Sequence, residues 1–133
     1  MSRDGDKPAI GASRRSLGVV VPPQANPDLP VDDDGDVSPG TGGMSVVPDW
    51  RLLRYYRIPR RLVHIIPEAS GKDTDACWRL GSLAFFDGIV GVRLQLRIGS
   101  PEHGTIEPVH VVSVERFQDD LAATCDQWII DES

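Results

Sequence analysis

The residues whose types and spacing best suit chemistry are His103 and Glu107, which stand four positions apart in HGTIEPVHVV. An imidazole can hold a hydroxyl-bearing ligand by hydrogen bonds, and a carboxylate can stabilise positive charge that develops beside it. Residues four apart share one face of an unbroken strand, so both side chains would face the same way. The alternative is that they form the wet side of an ordinary hairpin, which needs no ligand.

A glycine-rich turn, GTGG at residues 40–43, leads into a short strand that carries Ser45. Gly42 and Gly43 allow the backbone to approach a ligand closely, and the N–H groups of such a turn can cradle a phosphate. The turn lacks the lysine and the following helix of a Walker loop. An ordinary turn that enters the first strand is therefore the alternative interpretation.

Arginines alternate with aromatic residues in WRLLRYYRIPRR, residues 50–61. Arginines beside aromatic rings can bind phosphates and stack on bases. They can equally cover apolar surface with their aliphatic stems, which is a structural role. Because Pro59 opposes a long helix, we expect a loop or short helical turns that pack on the domain.

These polar groups would be positioned by a small sheet. VRLQLRI at residues 92–98 alternates apolar and polar side chains, which predicts a strand with one buried and one wet face. The turn at residues 99–102 should pair it with the strand that opens at Gly104, as an antiparallel hairpin. Further strands are predicted at residues 44–47, 62–66 and 77–80.

A helix should cover one face of this sheet. Ser113 is a good N-cap, and the helix dipole favours Glu115 in the first turn. Apolar residues recur at helical spacing from residue 114 to residue 128, which predicts about four turns. The expected buried face consists of Val114, Phe117, Leu121, Cys125 and Trp128, and the opposite face of Asp119, Asp120 and Asp126.

The first 42 residues have a different composition. They hold six of the eleven prolines, an acidic run at residues 32–36 and no aromatic residue. Such a segment buries too little apolar surface to offset the entropy of ordering, so we expect residues 1–42 to be a disordered tail. The exception is LGVVV at residues 17–21, which could add a short strand or bind a partner. Residues 43–133 would then form a small α+β domain, a mostly antiparallel sheet packed by the C-terminal helix.

Composition limits the remaining function classes. The net charge of −6 argues against a general nucleic-acid partner. No apolar run approaches the roughly 20 residues of a membrane span, and the N-terminus lacks the apolar core of a signal peptide. We expect a cytoplasmic protein without a membrane partner, although export by a route that needs no cleaved signal fits the same sequence. Cys77 and Cys125 make neither a disulfide framework nor a metal cluster, so no metal site is expected.

Two of these motifs, GTGGMSV at residues 40–46 and HGTIEPVHVVSVERFQDDLAATCDQW at residues 103–128, together resemble a bacterial toxin family delivered by type VI secretion. That family has an ADP-ribosyltransferase-like fold and a proposed dependence on NAD. It has a Gly-Gly-Thr-Ser-Val turn and strand, a His-Tyr-Thr-Ile-x-Pro strand and a C-terminal helix with a tryptophan. Short stand-alone bacterial proteins share the pattern. The resemblance covers residues 38–128.

The resemblance implies an NAD site in residues 43–133. Ser45 matches the family serine and His103 the family strand histidine, whereas Met44 stands where the family has threonine. Glu107 has no clear counterpart in the family; by its chemistry alone, it would supply the carboxylate that stabilises an oxocarbenium-like ribose when the nicotinamide bond is cleaved. The remaining expected contacts to NAD are Gly42 and Gly43 at the turn and Arg51 and Arg54 at the pyrophosphate.

Two functions therefore stay open at the level of the sequence. The first is an NAD-dependent ADP-ribosyltransferase or NAD glycohydrolase that acts as a toxin inside bacterial cells, with a cognate immunity protein or another protein as partner. The second is a non-catalytic binding or interaction module of the same fold. Ser45 and His103 favour the first function, and Met44 favours the second.

Overall fold

The computed structural model describes residues 1–81 and 85–133. Within these residues the chain forms ten short strands, one α-helix and four single-turn 3₁₀ helices. The strands are β1 (Arg3–Asp4), β2 (Lys7–Pro8), β3 (Asp36–Val37), β4 (Met44–Val46), β5 (Trp78–Leu80), β6 (Gly88–Gly91), β7 (Leu94–Ser100), β8 (His103–Pro108), β9 (Val112–Ser113) and β10 (Trp128–Ile130). The helix α1 spans Val114–Ala122, and the 3₁₀ helices span Trp50–Leu52, Tyr55–Arg57, Arg60–Leu62 and Cys125–Gln127.

The largest sheet has four antiparallel strands in the order β4-β8-β7-β6. The predicted hairpin is its centre, because β7 pairs with β8 across the turn at residues 101–102. Met44, Ile106 and Leu96 lie opposite one another on three neighbouring strands, and all three side chains belong to the main core. Since side chains alternate along a strand, the residues before and after these three on each strand form the other, polar face.

Helix α1 packs on the apolar face of this sheet, as predicted. The Ser113 hydroxyl accepts a hydrogen bond from the Arg116 N–H at 3.1 Å, and Glu115 lies in the first turn. Phe117 and Leu121 are fully buried against the core residues of the sheet. The α+β class, with small antiparallel sheets and one helix near the C-terminal end, is thus confirmed.

The expectation of a disordered tail at residues 1–42 is wrong. Leu17, Val19, Leu29 and Val37 are each at most 2% exposed and lie in the same core as Phe117. The backbone is held as well. Strand β3 pairs with β9, and the Gln118 side chain exchanges two hydrogen bonds with the main chain of Val19, of 2.8 and 3.0 Å. A few well-placed apolar residues therefore order a segment that is otherwise rich in proline and aspartate.

The predicted four-turn helix is also corrected. Helix α1 ends at Ala122, and the Thr124 hydroxyl donates to the Leu121 carbonyl at 2.7 Å beyond its last turn. Trp128 is buried as expected, but it opens strand β10, which pairs antiparallel with β5. The sequence WII favours an extended strand because its residues are aromatic or β-branched.

The predicted strand at residues 62–66 is wrong as well. Leu62 closes a 3₁₀ helix and residues 63–65 form a turn. Leu62, Ile65 and Ile66 belong to a second, smaller apolar cluster, while Val63 and His64 are exposed. The apolar residues thus follow a helical rather than an alternating spacing, which the short run could not distinguish.

The remaining chain connects these units. Residues 50–62 form three successive 3₁₀ turns, in agreement with the expected short helical turns, and Trp50 and Ile58 anchor them in the second cluster. Among the described residues, no helix combines the length and hydropathy that a membrane span requires.

Candidate functional site

The polar face of the four-stranded sheet carries several of the expected site residues. Ser45 lies directly opposite Thr105, and Thr105 lies opposite Arg97, so the three form a row across β4, β8 and β7. Glu107 lies two residues further along β8, opposite Gln95. This is the face away from α1, and the alternation of side chains in the sequence placed Ser45, Thr105 and Glu107 together on it.

Glu107 is enclosed by donors. Its carboxylate is 1% exposed and accepts from the Gly40 N–H at 2.7 Å, the Gln95 side-chain amide at 2.8 Å and the Arg97 Nε at 2.7 Å. Burial by itself would raise the pKa of Glu107, but the Gly40 N–H, Arg97 and Gln95 together hold that pKa below its usual value. The arrangement fixes the glycine-rich turn on the sheet and keeps the carboxylate charged.

The two glycines of the turn make close contacts within the chain. A Cβ at Gly42 would lie 2.2 Å from the Asp28 carbonyl oxygen, and one at Gly43 would lie 2.2 Å from the Ile106 carbonyl oxygen. The Gly43 N–H donates to the Asp28 carbonyl at 3.2 Å. The close approach that these glycines permit is therefore to the chain's own backbone.

A cleft of about 770 Å³ opens beside the apolar side of the sheet, between β4, the 3₁₀ turns and the β5–β10 pair. Its volume falls in the range of about 300–1,000 Å³ that is typical of small-molecule sites. All three tryptophans of the chain, Trp50, Trp78 and Trp128, line it. Its charged lining consists of Arg14, Arg51, Arg54, Arg57 and Arg79 with Asp28, Asp49, Glu102 and Asp131.

The cleft brings together four of the seven expected site residues: Ser45, Arg51, Arg54 and His103. The reason is topological, because Val46 pairs with Gly104 and the chain after β4 runs past the β7–β8 turn. Glu107 lies outside the lining, four residues along β8 from His103, which corresponds to about 14 Å of strand. The Ser45 side chain belongs to the polar face, so Ser45 meets the cleft at its rim.

The arginines of the cleft differ in how they are used. Arg51 lies over the Trp50 ring, with its guanidinium carbon 4.9 Å from the ring centre, and its Nη1 contacts the Asp49 carboxylate at 3.3 Å. Arg57 lies over the Tyr56 ring at 5.6 Å and donates to the Arg14 carbonyl. Arg54 is exposed and bonds to no acceptor among the described residues. It is therefore the guanidinium most readily offered to an anion.

The sequence did not predict several residues of this site. Trp78 and Trp128 were interpreted as parts of a strand and a helix, and only their pairing through β5 and β10 brings both to the cleft. Glu102 lines the cleft next to His103, although the sequence marks it only as a turn residue. Arg97 could have been found, because it faces Thr105 across the predicted hairpin.

A group of carboxylates lies apart from the cleft. Asp32, Asp34 and Asp36 place one oxygen each within 4.8 Å of one another. The Asp32 carboxylate accepts from the Asp34 and Asp36 N–H groups at 2.9 and 2.8 Å, which accounts for the cluster as a tight turn that leads into β3.

No protein family, curated protein or solved structure matches this chain. Function must therefore be inferred from the geometry of the cleft and from the residues of the two sequence motifs.

Proposed function

We propose that this chain is a binding module whose cleft takes an anionic, aromatic small molecule of the nucleotide class, with NAD as the ligand that the sequence motifs suggest. The observation that carries the proposal is the cleft of about 770 Å³, lined by all three tryptophans and five arginines. Arginine recognises phosphate. The half-buried Trp78 and the exposed Tyr56 offer aromatic surface for a base or nicotinamide ring, whereas Trp50 and Trp128 are largely buried behind the cleft wall. The side chains of the lining include five guanidinium groups and four carboxylates, although the whole chain is acidic.

Binding of NAD can be measured by calorimetry and by quenching of tryptophan fluorescence. The decisive variant is Arg54→Ala, because Arg54 bonds to no acceptor in the described part of the chain and its removal should leave the fold intact. Loss of one hydrogen bond to a charged phosphate, of about 1.5–3 kcal/mol, should weaken binding roughly 10- to 100-fold. Arg116→Ala on the exposed side of α1 is the matched control and should bind like the wild type. Absence of binding at millimolar NAD would refute the proposal.

The second candidate function is NAD cleavage by a bacterial toxin domain of ADP-ribosyltransferase-like fold, with a neutralising protein partner. It is favoured by one observation, that Ser45 and His103 line the same cleft as Arg51 and Arg54. The three donors on Glu107 and its distance from His103 support a structural rather than a catalytic role for that carboxylate. Glu102, which lines the cleft beside His103, is the carboxylate in a better position to act.

The two functions differ in turnover. An enzyme would release nicotinamide from NAD, and His103→Ala and Glu102→Gln would each lower that release while the protein stays folded. A binding module would bind NAD and leave it intact. Chromatography of NAD after incubation with the purified chain distinguishes them, and expression in a bacterial host would show whether growth is impaired.

A further inference from the structure

Asp131 and Ser133 line the cleft, and each residue of the segment Asp131–Ser133 is held by a separate arginine. The Asp131 carboxylate contacts a guanidinium at 3.2 Å, the Glu132 carboxylate accepts two hydrogen bonds of 2.7 Å, and the Ser133 main-chain oxygen accepts one of 2.8 Å. The three pairs are Asp131 with Arg79, Glu132 with Arg61, and Ser133 with Arg51. We call Asp131–Ser133 the acidic strap.

The strap continues the pairing of β5 with β10. The Asp131 N–H donates to the Cys77 carbonyl at 2.9 Å, and the Cys77 N–H donates to the Glu132 carboxylate at 3.1 Å. Burial opposes ionisation of Glu132, but Arg61 and the Cys77 N–H hold its pKa below the usual value. Glu132 does not line the cleft, so it anchors the strap from behind.

The far end of the strap occupies donors that a ligand would need. The Ser133 main-chain oxygen accepts from Arg51 Nη2 and also from the Trp50 indole N–H, at 3.3 Å. Both Arg51 and Trp50 line the cleft, as do Asp131 and Ser133. An oxygen acceptor between a guanidinium and an indole N–H is the arrangement that a carboxylate or phosphate oxygen would also take.

We propose that the acidic strap is a built-in competitor for the anion position of the cleft. A phosphate group of the ligand replaces the Ser133 oxygen on Arg51 and Trp50, and the strap leaves the cleft when the ligand enters. The inference rests on the proposed function, since it concerns the same cleft. It also specifies the ligand further: the group that enters beside Trp50 is an anion, and a neutral aromatic compound does not displace the strap.

The strap can be loosened without a change in the cleft lining. Glu132→Gln weakens the clamp to Arg61, and because this pair is partly exposed its loss should raise the apparent affinity for NAD roughly fivefold. Glu68→Gln removes the same charge from an exposed turn outside the lining and should leave the affinity unchanged. Calorimetry with NAD on the wild type and on both variants measures the effect.

Hydrogen exchange on the wild type provides a second measurement that needs no variant. Saturating NAD should speed exchange of the Asp131 amide while it slows exchange near Trp50 and Arg51. Equal NAD affinity of Glu132→Gln and wild type, or added protection of Asp131 in the complex, would refute competition by the strap and leave the proposed function standing. Binding of NAD to neither protein would overturn both.

Discussion

Removing the charge of Glu107 should destabilise the fold, because this carboxylate holds the glycine-rich turn on the sheet. In Glu107→Gln the amide oxygen can keep two of the three donors, but the amide NH₂ must then face the third. With the oxygen kept towards Gln95 and Arg97, the unpaired donor is the Gly40 N–H. One lost bond to a charged group corresponds to about 2 kcal/mol.

Glu107→Ala removes all three interactions and should cost more. The full value of three charged hydrogen bonds would overstate the loss, because the Arg97 side chain is 57% exposed and Gly40 is also exposed. Both donors can therefore bond to water in the variant. We expect a loss of about 3–4 kcal/mol for Glu107→Ala.

The measurement is thermal unfolding followed by tryptophan fluorescence. For a chain of this length roughly 3–4 °C of Tm corresponds to 1 kcal/mol, so Glu107→Gln should melt about 7 °C and Glu107→Ala more than about 10 °C below the wild type. Glu68→Gln, an exposed acid without a partner among the described residues, should stay within about 0.5 kcal/mol of wild type. A Glu107→Gln variant with unchanged Tm and lost nicotinamide release would refute this reasoning and restore a catalytic role for Glu107.

Two further predictions concern pH and the turn. Burial by itself would raise the pKa of Asp75, but hydrogen bonds from Arg15 and the Ser2 hydroxyl hold that pKa below its usual value. The pKa values of Glu107, Glu132 and Asp75 are thus all low, so their contributions to stability are present above the unfolded-state values near pH 4 and are lost as pH falls through the lower folded values. Denaturant titrations should accordingly show a near-constant unfolding free energy between about pH 7 and 5 and a decline below about pH 4, with a shallower decline in Glu107→Gln. Gly43→Ala should cost at least about 2 kcal/mol in the same titration at pH 7, because its Cβ would meet the Ile106 carbonyl, whereas Gly35→Ala, with open space around it, should cost about 1 kcal/mol.

The sheet and its helix could be predicted because their signals are local. The N-cap at Ser113 and the alternation along residues 94–98 depend only on neighbouring residues, although residues 92 and 93 of the predicted strand form a turn instead. The fact that the first 42 residues are ordered could not be predicted, since it depends on contacts with residues far away in the sequence. Leu17 and Val19 are buried only because Phe117 and Gln118 of α1 meet them about a hundred positions later. Composition describes the average residue of a segment, whereas folding depends on the few that reach the core.

Asp120 illustrates the same limit for a single side chain. Its position on the helix predicted an exposed acid, yet it is buried and accepts a two-fold hydrogen bond from Arg93. Arg93 has a positive φ of 59° in the turn between β6 and β7, and that turn directs its side chain towards α1. Neither residue signals the pairing, because it requires both the hairpin turn and the helix to be in place.

In the candidate site, too, the sequence predicts what depends on neighbouring residues and misses what depends on distant elements. The alternation of β8 predicts that His103, Thr105 and Glu107 share a face, but it cannot tell which of them a ligand could reach. Other elements decide which of these residues a ligand can contact. The turn at Gly40 covers Glu107, whereas the 3₁₀ turns bring Arg51 and Arg54 to the end of the sheet where His103 lies. A catalytic role for Glu107 and a ligand at His103 are therefore separate hypotheses, since about 14 Å of strand divides the two residues. If Arg54→Ala loses NAD affinity and Glu107→Gln loses only stability, then the His103 end of β8 borders the ligand site and the Glu107 end stabilises the fold.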